Sequence, residues 1–339
     1  MTWLAWRQFR NPVLVVAVVL VAVAIVYGIT GPGIVHLYDT VVKPCKANND
    51  CATVSASFMA KYQTWKSVSK LLLLFPVLLG MFWGAPLVAR EMETGTFRLS
   101  WTQSVTRRRW FCTRVGIAVM ASMVATGLLS LMVTWWSRPF DSFINFPFNT
   151  FDQRNVVVIG YAAFAVTLGI AFGALFRRTI PAMGATLVGF VAVRFLITDY
   201  VRPVLASAKT LTAKFQAFST SHGFGAQVGA GLKQANWLIS NTIVNRAGHV
   251  VLQDGNINFR NLAHGRLELV GVGKCPSQFL ASSNDAMPKC VNSFHLRDIV
   301  MYQPVSRYWP FQWEEMAIYL VLAVGLGAFS YWWVRRRVV

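Results

Sequence analysis

The sequence predicts an all-α polytopic membrane protein with six transmembrane helices, both termini in the cytoplasm, and a small α+β extracellular domain between helices five and six. Three observations lead to this prediction: the composition, a set of six long apolar runs, and the sidedness of the arginines. Of the 339 residues, 55% are hydrophobic and 13% are charged, and the mean hydropathy is +0.46. These values are typical of a membrane protein rather than of two soluble domains.

Each of the six apolar runs is close to the roughly 20 residues that cross a hydrocarbon core of about 30 Å. They are residues 12–29, 71–89, 115–136, 156–176, 179–198 and 316–334, and among them only the fifth contains a charge, Arg194. A bilayer offers the backbone no water to bond, so the runs are predicted to be helices. The first is interpreted as a retained helix because it exceeds the roughly 7–15 residues of a signal-peptide core.

The arginines decide the orientation of these six helices. With the N-terminus inside, the short cytoplasmic segments contain Arg7, Arg10, Arg90, Arg98, Arg107, Arg108, Arg109, Arg114, Arg177, Arg178 and Arg335 to Arg337. This is the positive-inside pattern. The formal net charge of +19 is therefore interpreted as attraction to anionic lipid headgroups. No nucleic-acid partner is expected, because no basic stripe with base-stacking aromatic residues occurs.

The predicted organisation has three parts. Residues 1–199 contain helices one to five and a cytoplasmic coupling loop at 89–113, residues 200–311 form the extracellular domain, and residues 312–339 contain helix six and a cytoplasmic tail. Within the middle part, an amphipathic helix is predicted after Pro203 from the roughly helical spacing of Leu205, Leu211, Phe215 and Phe218.

The second half of this domain carries strand signals. A hairpin is predicted because the β-rich runs 237–244 and 249–252 flank Asn-Arg-Ala-Gly at 245–248. Residues 299–302 are predicted to form a returning strand.

The five cysteines divide in agreement with this orientation. Four fall outside and Cys112 falls at the cytoplasmic foot of the third helix, where a free thiol is expected. Of three connectivities, the sequence-local pairs are favoured, Cys45 with Cys51 and Cys275 with Cys290. A zinc site of these cysteines with nearby histidines is the alternative, but the spacing matches no zinc pattern.

No catalytic or nucleotide-binding motif is found in the sequence. A Walker A loop needs G-x-x-x-x-G-K-[ST], and Gly273-Lys274-Cys275 lacks the upstream glycine and the hydroxyl. The H-E-x-x-H and G-x-S-x-G motifs and paired intramembrane carboxylates are also absent. We therefore expect no enzyme activity, no metal site and no cofactor in this chain.

The segment 89–110, AREMETGTFRLSWTQSVTRRRW, joins the second and third apolar runs on the cytoplasmic side. Glu91 and Glu93 are two residues apart and do not share a helical face, so one is expected to cap or pair locally while the other meets a soluble partner. Gly95 allows a turn, and apolar side chains that could fill a cleft of that partner follow it: Phe97, Leu99 and Trp101. The alternative is a solvated loop whose acidic residues only offset neighbouring arginines.

The sequence Glu-Met-Glu-Thr-Gly-Thr at residues 91–96 resembles the acidic Gly-Thr segment of the membrane subunit of type-2 ATP-binding-cassette (ABC) exporters. The six helices, the inward termini and the short turn at Arg177-Arg178 are also similar to that family. Residues 302–315, YQPVSRYWPFQWEE, resemble the start of the last helix in its actinobacterial permeases. The family often has a compact loop where this chain has its extracellular domain.

This resemblance implies a coupling helix that docks onto a separate ATPase, with contacts from Glu91, Glu93, Gly95, Thr96, Phe97 and Leu99. It implies two copies of that ABC ATPase, which bind ATP and magnesium, and a second copy of the permease, with a homodimer expected. It also implies a multi-pass protein of the bacterial cytoplasmic membrane in contact with lipids.

Each of the charged residues near the outer ends of helices five and six has two possible roles. Arg194 is expected within snorkelling reach of the outer surface, where it pairs with Asp199 or a lipid phosphate, or contacts an anionic or amphiphilic substrate. Glu314 and Glu315 are expected at the start of the sixth helix, where negative charge complements the helix dipole, or in an aqueous vestibule.

Small residues and prolines mark two helices. Helix two contains Pro76, Gly80, Gly84 and Pro86, which favour kinks. The Gly169-x-x-x-Gly173 pair of helix four permits close packing, within the chain or with a second copy.

The function predicted from these observations is that of the permease subunit of an ATP-driven exporter, which moves a hydrophobic or amphiphilic substrate such as a drug, lipid or peptide. The alternative is a membrane sensor or assembly subunit whose extracellular domain binds a ligand. A membrane enzyme is disfavoured because no catalytic constellation is present.

Overall fold

The structure is a computed structural model. It describes residues 2–44, 70–94, 107–142, 146–220, 223–227, 236–253, 259–262, 266–269, 273–275 and 286–337. Within these ranges six helical segments are long and apolar enough to cross a membrane, which confirms the predicted number. We call them spans 1 to 6, and they are Arg10–Val42, Leu71–Thr94, Phe111–Asp141, Val157–Phe176, Thr179–Val204 and Val305–Arg336.

Most spans are built around one long α-helix. These helices are Thr2–Leu37, Arg107–Ser137, Val157–Phe176, Thr179–Leu196 and Tyr308–Arg337. Span 2 instead consists of four consecutive helical segments of different type. They are the 3₁₀ segment Leu71–Leu74, the α-helix Phe75–Leu79, the π segment Gly80–Gly84 and the α-helix Ala85–Thr94. A π segment also follows span 1's long helix at Tyr38–Val42 and span 5's at Ile197–Val201.

Span 4 is the central helix of this bundle and is buried over most of its length, because small residues bring span 2 against it backbone to backbone. A methyl group added at Gly80 or Gly84 would overlap the carbonyl group of Ala165 or Val166. On the facing side, a methyl group at Gly173 would lie 2.6 Å from the carbonyl oxygen of Ala85. The Gly169-x-x-x-Gly173 pair therefore packs within the chain, against span 2.

Span 1 is held to span 3 on one face. The rings of Tyr27 and Trp136 stack with centroids 5.0 Å apart, and the indole N–H of Trp136 donates to Thr30 Oγ1 at 2.9 Å. The rest of span 1 exposes apolar side chains such as Leu14, Val18 and Ile29. Such an apolar surface suits lipid contact.

The chain divides into two compact units. The first contains residues 1–141, 149–202 and 309–339, and the second contains residues 142–148 and 203–308. The second unit has a four-stranded antiparallel sheet in the order β1-β9-β4-β5, formed by Lys209–Lys214, Arg297–Gln303, Trp237–Val244 and Val250–Gln253. Two smaller sheets consist of β2 (Gln216–Thr220) with β3 (Gly223–Gln227), and of β6 (Phe259–Leu262), β7 (Arg266–Leu269) and β8 (Gly273–Cys275).

The predicted hairpin and returning strand are confirmed. β4 pairs with β5 around the turn at 245–248, where Gly248 has a φ of +85° that favours glycine. β9 lies between β1 and β4 and buries Val300.

The predicted amphipathic helix after Pro203 is wrong. Its last three apolar residues lie instead in or between strands β1 and β2, with Leu211 in β1 opposite Val300 of β9. Phe215 is buried and its N–H donates to the carbonyl oxygen of Leu296 at 3.0 Å. The central strand β9 offers a complete hydrogen-bonding edge, and this long-range pairing outweighs the local helical spacing.

The cysteines are described in part. Cys112 is an exposed free thiol, and Cys290 is buried in the helix Ala286–Ser293. Cys45 and Cys51 lie outside the described residues, as does the side chain of Cys275. The two disulfide pairings stay predictions.

The contact between spans 2 and 4 yields a test with a matched control. A methyl group at Gly169 would overlap the Gly80 carbonyl oxygen and lie 2.8 Å from the amide nitrogen of Ala85. We expect Gly169→Ala to destabilise the protein by about 1–3 kcal/mol, the usual cost of overpacking. Gly184→Ala adds the same methyl group where no atom lies within 4 Å and should leave the unfolding temperature in detergent unchanged or slightly raised. Equal unfolding temperatures for the two variants would contradict the proposed contact.

Candidate functional site

The cytoplasm-predicted end of span 2 is fixed by an ion pair to the neighbouring span. Glu91, in the last turn of span 2, pairs with the guanidinium group of Arg114 in the first turn of span 3, and both side chains are mostly buried. This contact joins the two helices that flank residues 95–106. The two flanks of that segment are therefore held together.

The second acidic residue of the segment fixes span 5. Glu93 Oε2 accepts a hydrogen bond from Thr179 Oγ1 at 2.6 Å and lies 3.4 Å from the Thr179 amide nitrogen. Thr179 is the first residue of the span 5 helix, so the carboxylate lies at the positive end of that helix. Arg177, with a φ of 54°, ends span 4 and allows the chain to turn back into span 5 at this point. We call Glu91, Glu93, Arg114 and Thr179 the coupling corner.

The sequence predicted that one of the two acidic residues pairs locally and that the other meets a partner. In the structure both have partners within the chain, on two different helices, which agrees with their spacing on different helical faces. Gly95, Thr96, Phe97 and Leu99 lie outside the described residues. Their predicted contacts with an ATPase stay predictions.

A second polar cluster lies at the opposite end of spans 4 to 6. Two arginines of span 5 meet two carboxylates: Asp152, in the 3₁₀ segment Phe151–Gln153, and Glu315 of span 6. Arg202 binds Glu315 through two nitrogens, at 2.8 Å and 3.0 Å, and Asp152 at 2.5 Å. Arg194 lies 3.1 Å from Asp152 and 3.4 Å from Glu315. We call these four residues the four-charge network.

Aromatic side chains surround this network. The hydroxyl group of Tyr161 donates to Glu315 at 2.6 Å, and its ring lies 4.1 Å from the guanidinium carbon of Arg194. The guanidinium group of Arg202 lies over the ring of Phe151 at 4.4 Å. These ring faces attract the cations in surroundings that exclude water.

The charges of the network cancel. Burial acts to raise the pKa of Asp152, but the positive charges of Arg194 and Arg202 outweigh it and lower that pKa to about 2. Asp152 is therefore ionised at physiological pH. Its ionised form stabilises the fold above about pH 4, and that contribution declines as the pH falls towards 2.

The network corrects two predictions about single residues. Arg194 does not pair with Asp199, which is exposed, because Asp152 and Glu315 lie within reach on the buried side of span 5. Glu315 does not complement the helix dipole, because it lies two turns after the helix start at Tyr308 and binds arginines there. Asp152 and Arg202 were not predicted as members of a site, because their only signal in the sequence was a charge beside an apolar run.

Span 6 and span 4 are close at this end, where a methyl group at Gly160 would lie 3.1 Å from the Met316 carbonyl oxygen. Farther along, spans 3, 4 and 6 border a cavity of about 680 Å³. Its walls are mainly apolar, with Val119, Ala163 and Leu320 among the lining residues. A cavity of this size fits a drug-sized molecule.

Comparison with protein families gives one assignment. The family described as ABC-2 membrane transporter related matches residues 17–202, more than half of the chain. The chain belongs to this family. Comparisons with curated proteins and with solved structures return no match.

Family membership makes the chain a membrane permease subunit of an ABC transporter and implies an ABC ATPase as its partner. The matched region includes the whole coupling corner and three members of the four-charge network. The fourth member, Glu315, lies on span 6 beyond it.

The four-charge network of the permease yields a second test. Glu315→Gln keeps the side-chain shape but leaves two buried arginines with one carboxylate, and we expect it to destabilise the protein by about 3–5 kcal/mol. Arg202→Met combined with Glu315→Gln restores neutrality and should recover part of that loss. The exposed neighbour supplies the control, since Glu314→Gln should leave the unfolding temperature unchanged. A double variant less stable than either single variant would contradict the charge-cancellation account.

Proposed function

We propose that this chain is the permease subunit of an exporter that moves a hydrophobic or amphiphilic substrate outward across the bacterial cytoplasmic membrane. The observation that carries the proposal is the coupling corner, which fixes both flanks of residues 95–106 to the helical bundle. An ATPase that grips this segment would act on spans 2, 3 and 5 together.

The packing supports a route from this corner into the bundle. Span 2 touches span 4 backbone to backbone at Gly80 and Gly84, so the two helices cannot separate there without losing close contact along both. At the other end, the four-charge network joins spans 5 and 6 to the start of span 4. Motion of spans 2 and 5 is thereby coupled to span 6.

ATP binding and hydrolysis belong, in this proposal, to the separate ATPase, which holds ATP and magnesium. The chain carries no phosphate-binding loop of the Walker type. Two permease copies, a homodimer, act with two ATPase copies. Native mass spectrometry of the purified complex measures this stoichiometry.

The second compact unit is placed outside the cell by the proposed orientation. The arginine-rich ends of the spans then face the cytoplasm, as the positive-inside pattern favours. Outside, oxidising conditions favour disulfides between Cys45 and Cys51 and between Cys275 and Cys290.

A charge exchange tests the coupling corner. Glu91→Arg alone places two cations together in a mostly buried site and should destabilise the permease by about 3–5 kcal/mol. It should also reduce the amount of ABC ATPase that co-purifies with the tagged permease from native membranes. Glu91→Arg combined with Arg114→Glu restores opposite charges and should recover both stability and ATPase capture.

Variants within residues 95–106 distinguish residues that contact the ATPase from residues that hold the helices together. Phe97→Ala with Leu99→Ala should reduce ATPase capture without lowering the unfolding temperature, since these side chains are proposed to fill a cleft of the ATPase. The permease alone should hydrolyse no ATP. ATP hydrolysis by the isolated chain, or a wild-type permease that captures no ABC ATPase, would contradict the proposal and favour the sensor hypothesis.

Cysteine labelling tests the orientation. In a background without native cysteines, exposed Lys209→Cys should react with an impermeant maleimide on intact cells, and exposed Arg178→Cys only after permeabilisation. In the native protein, mass spectrometry of unreduced peptides should find Cys275 bonded to Cys290 and Cys112 free. The opposite labelling pattern, or a bonded Cys112, would reverse the orientation.

A further inference from the structure

The cavity bordered by spans 3, 4 and 6 has a long apolar wall. It extends along span 3 and its preceding turn from Arg108 to Met123, and along span 6 from Leu320 to Arg335. Each stretch advances 15 residues along its helix, which is about 22 Å at 1.5 Å per residue. Thr167 lies in the span 4 wall, but its hydroxyl group already donates to Ala163 at 2.9 Å. A ligand lying along this wall therefore has to be apolar over most of its length.

One end of the cavity is cationic. Spans 3 and 6 are antiparallel along it, so Arg108 at the beginning of one helix and Arg335 near the end of the other line the same end. Phe111 and Tyr331 lie about one helical turn from them and contact each other, with ring centroids 5.8 Å apart. Both arginines lie on the side that the arginine pattern predicts to be cytoplasmic.

These two arginines differ in their surroundings from five other arginines of the bundle. Arg114, Arg154, Arg194 and Arg202 each form an ion pair with a carboxylate, and Arg336 lies over the ring of Trp332 at 5.4 Å. In the part of the chain that the structure describes, neither Arg108 nor Arg335 has an ion pair or hydrogen bond. Two uncompensated positive charges at the end of an apolar cavity complement a ligand with a negatively charged headgroup and an apolar chain.

We propose that this cavity binds an anionic amphiphile, with its acidic headgroup at Arg108 and Arg335 and its apolar chain along spans 3, 4 and 6. That the bound molecule is the transported substrate rests on the proposed function. The binding itself does not, because all lining residues belong to this chain. An exporter that loads from the cytoplasmic leaflet would meet such a molecule at this end of the cavity.

The native thiol of Cys112 reports on occupancy, because it lines the cavity and is free and exposed. The full-length permease, purified in the neutral detergent dodecyl maltoside, is labelled with a maleimide in the presence of dodecyl phosphate. At about ten times its Kd, dodecyl phosphate should slow labelling of Cys112 about tenfold, since only the unoccupied fraction reacts. The cation dodecyltrimethylammonium, which has the same chain, should give no protection.

Matched variants separate this site from general attraction of anions to a basic protein. Arg108→Gln and Arg335→Gln should each raise the half-protecting concentration about tenfold, as loss of one charge-assisted contact predicts. Arg109→Gln and Arg336→Gln remove the same charge one residue away, outside the cavity lining, and should leave that concentration unchanged. Arg335→Lys should retain most of the protection. A thiol on the exposed end of span 2, introduced as Thr94→Cys with Cys112→Ser, should label equally with and without dodecyl phosphate.

The same assay in lipid nanodiscs distinguishes the source of the ligand. Protection of Cys112 in phosphatidylglycerol but not in phosphatidylcholine supports the proposal with a membrane lipid as occupant. Protection by dodecyl phosphate alone supports it with an acidic amphiphile that is not a bulk lipid. Equal protection by the cationic amphiphile, equal effects of the Arg108 and Arg109 variants, or no protection in either setting would overturn it.

ATPase capture, measured on the same preparations, keeps the two proposals apart. If Cys112 stays unprotected while an ABC ATPase co-purifies, the amphiphile site is wrong and the proposed function stands. If Cys112 is protected but no ABC ATPase is captured, the site stands and its interpretation as a transport site is wrong.

Discussion

Two arginines and two carboxylates, mostly buried together at one end of the bundle, constrain how the last three spans are arranged. An unpaired charge in surroundings of low dielectric is costly, so Arg194 and Arg202 require Asp152 and Glu315 within bonding distance. That requirement fixes the rotation of span 5 about its axis and the depth of span 6. It also holds the 3₁₀ segment Phe151–Gln153 against the beginning of span 4, where Gln312 reinforces it by bonding Phe151 and Val157 at 3.0 Å each.

Span 4 connects this network to the coupling corner at the other end. It needs no charge of its own, because glycine and alanine let span 2 approach its backbone directly. Contact of this kind resists sliding, since each step along the helix brings carbonyl groups into overlap. Span 6 contacts span 4 differently: the two are close at Gly160, and farther along they border the cavity together with span 3.

The sequence predicts local features of this architecture well and long-range pairings poorly. Six spans follow from apolar length alone, because a bilayer of fixed thickness demands it, and the hairpin follows from a turn only four residues long. The partners of Glu93 and Arg194 could not be predicted, since Thr179 is 86 residues from Glu93 and Glu315 is 121 residues from Arg194. Residues 205–218 show the same limit, because their helical spacing was outweighed by pairing with β9, a strand formed much later in the chain.

Charge compensation distinguishes Arg114, which holds two spans together, from Arg108, which we propose binds a ligand. Arg114 is compensated by Glu91, so its role is to join spans 2 and 3. Arg108, almost two turns earlier on the same helix, lines the cavity. Because an α-helix moves as a rigid body over so short a distance, any displacement of Arg114 by a partner at the coupling corner also displaces Arg108 and the cavity wall. In the proposed mechanism, span 3 therefore carries both the contact that receives the force and the charge that meets the ligand, and no relay through the bundle is needed between them.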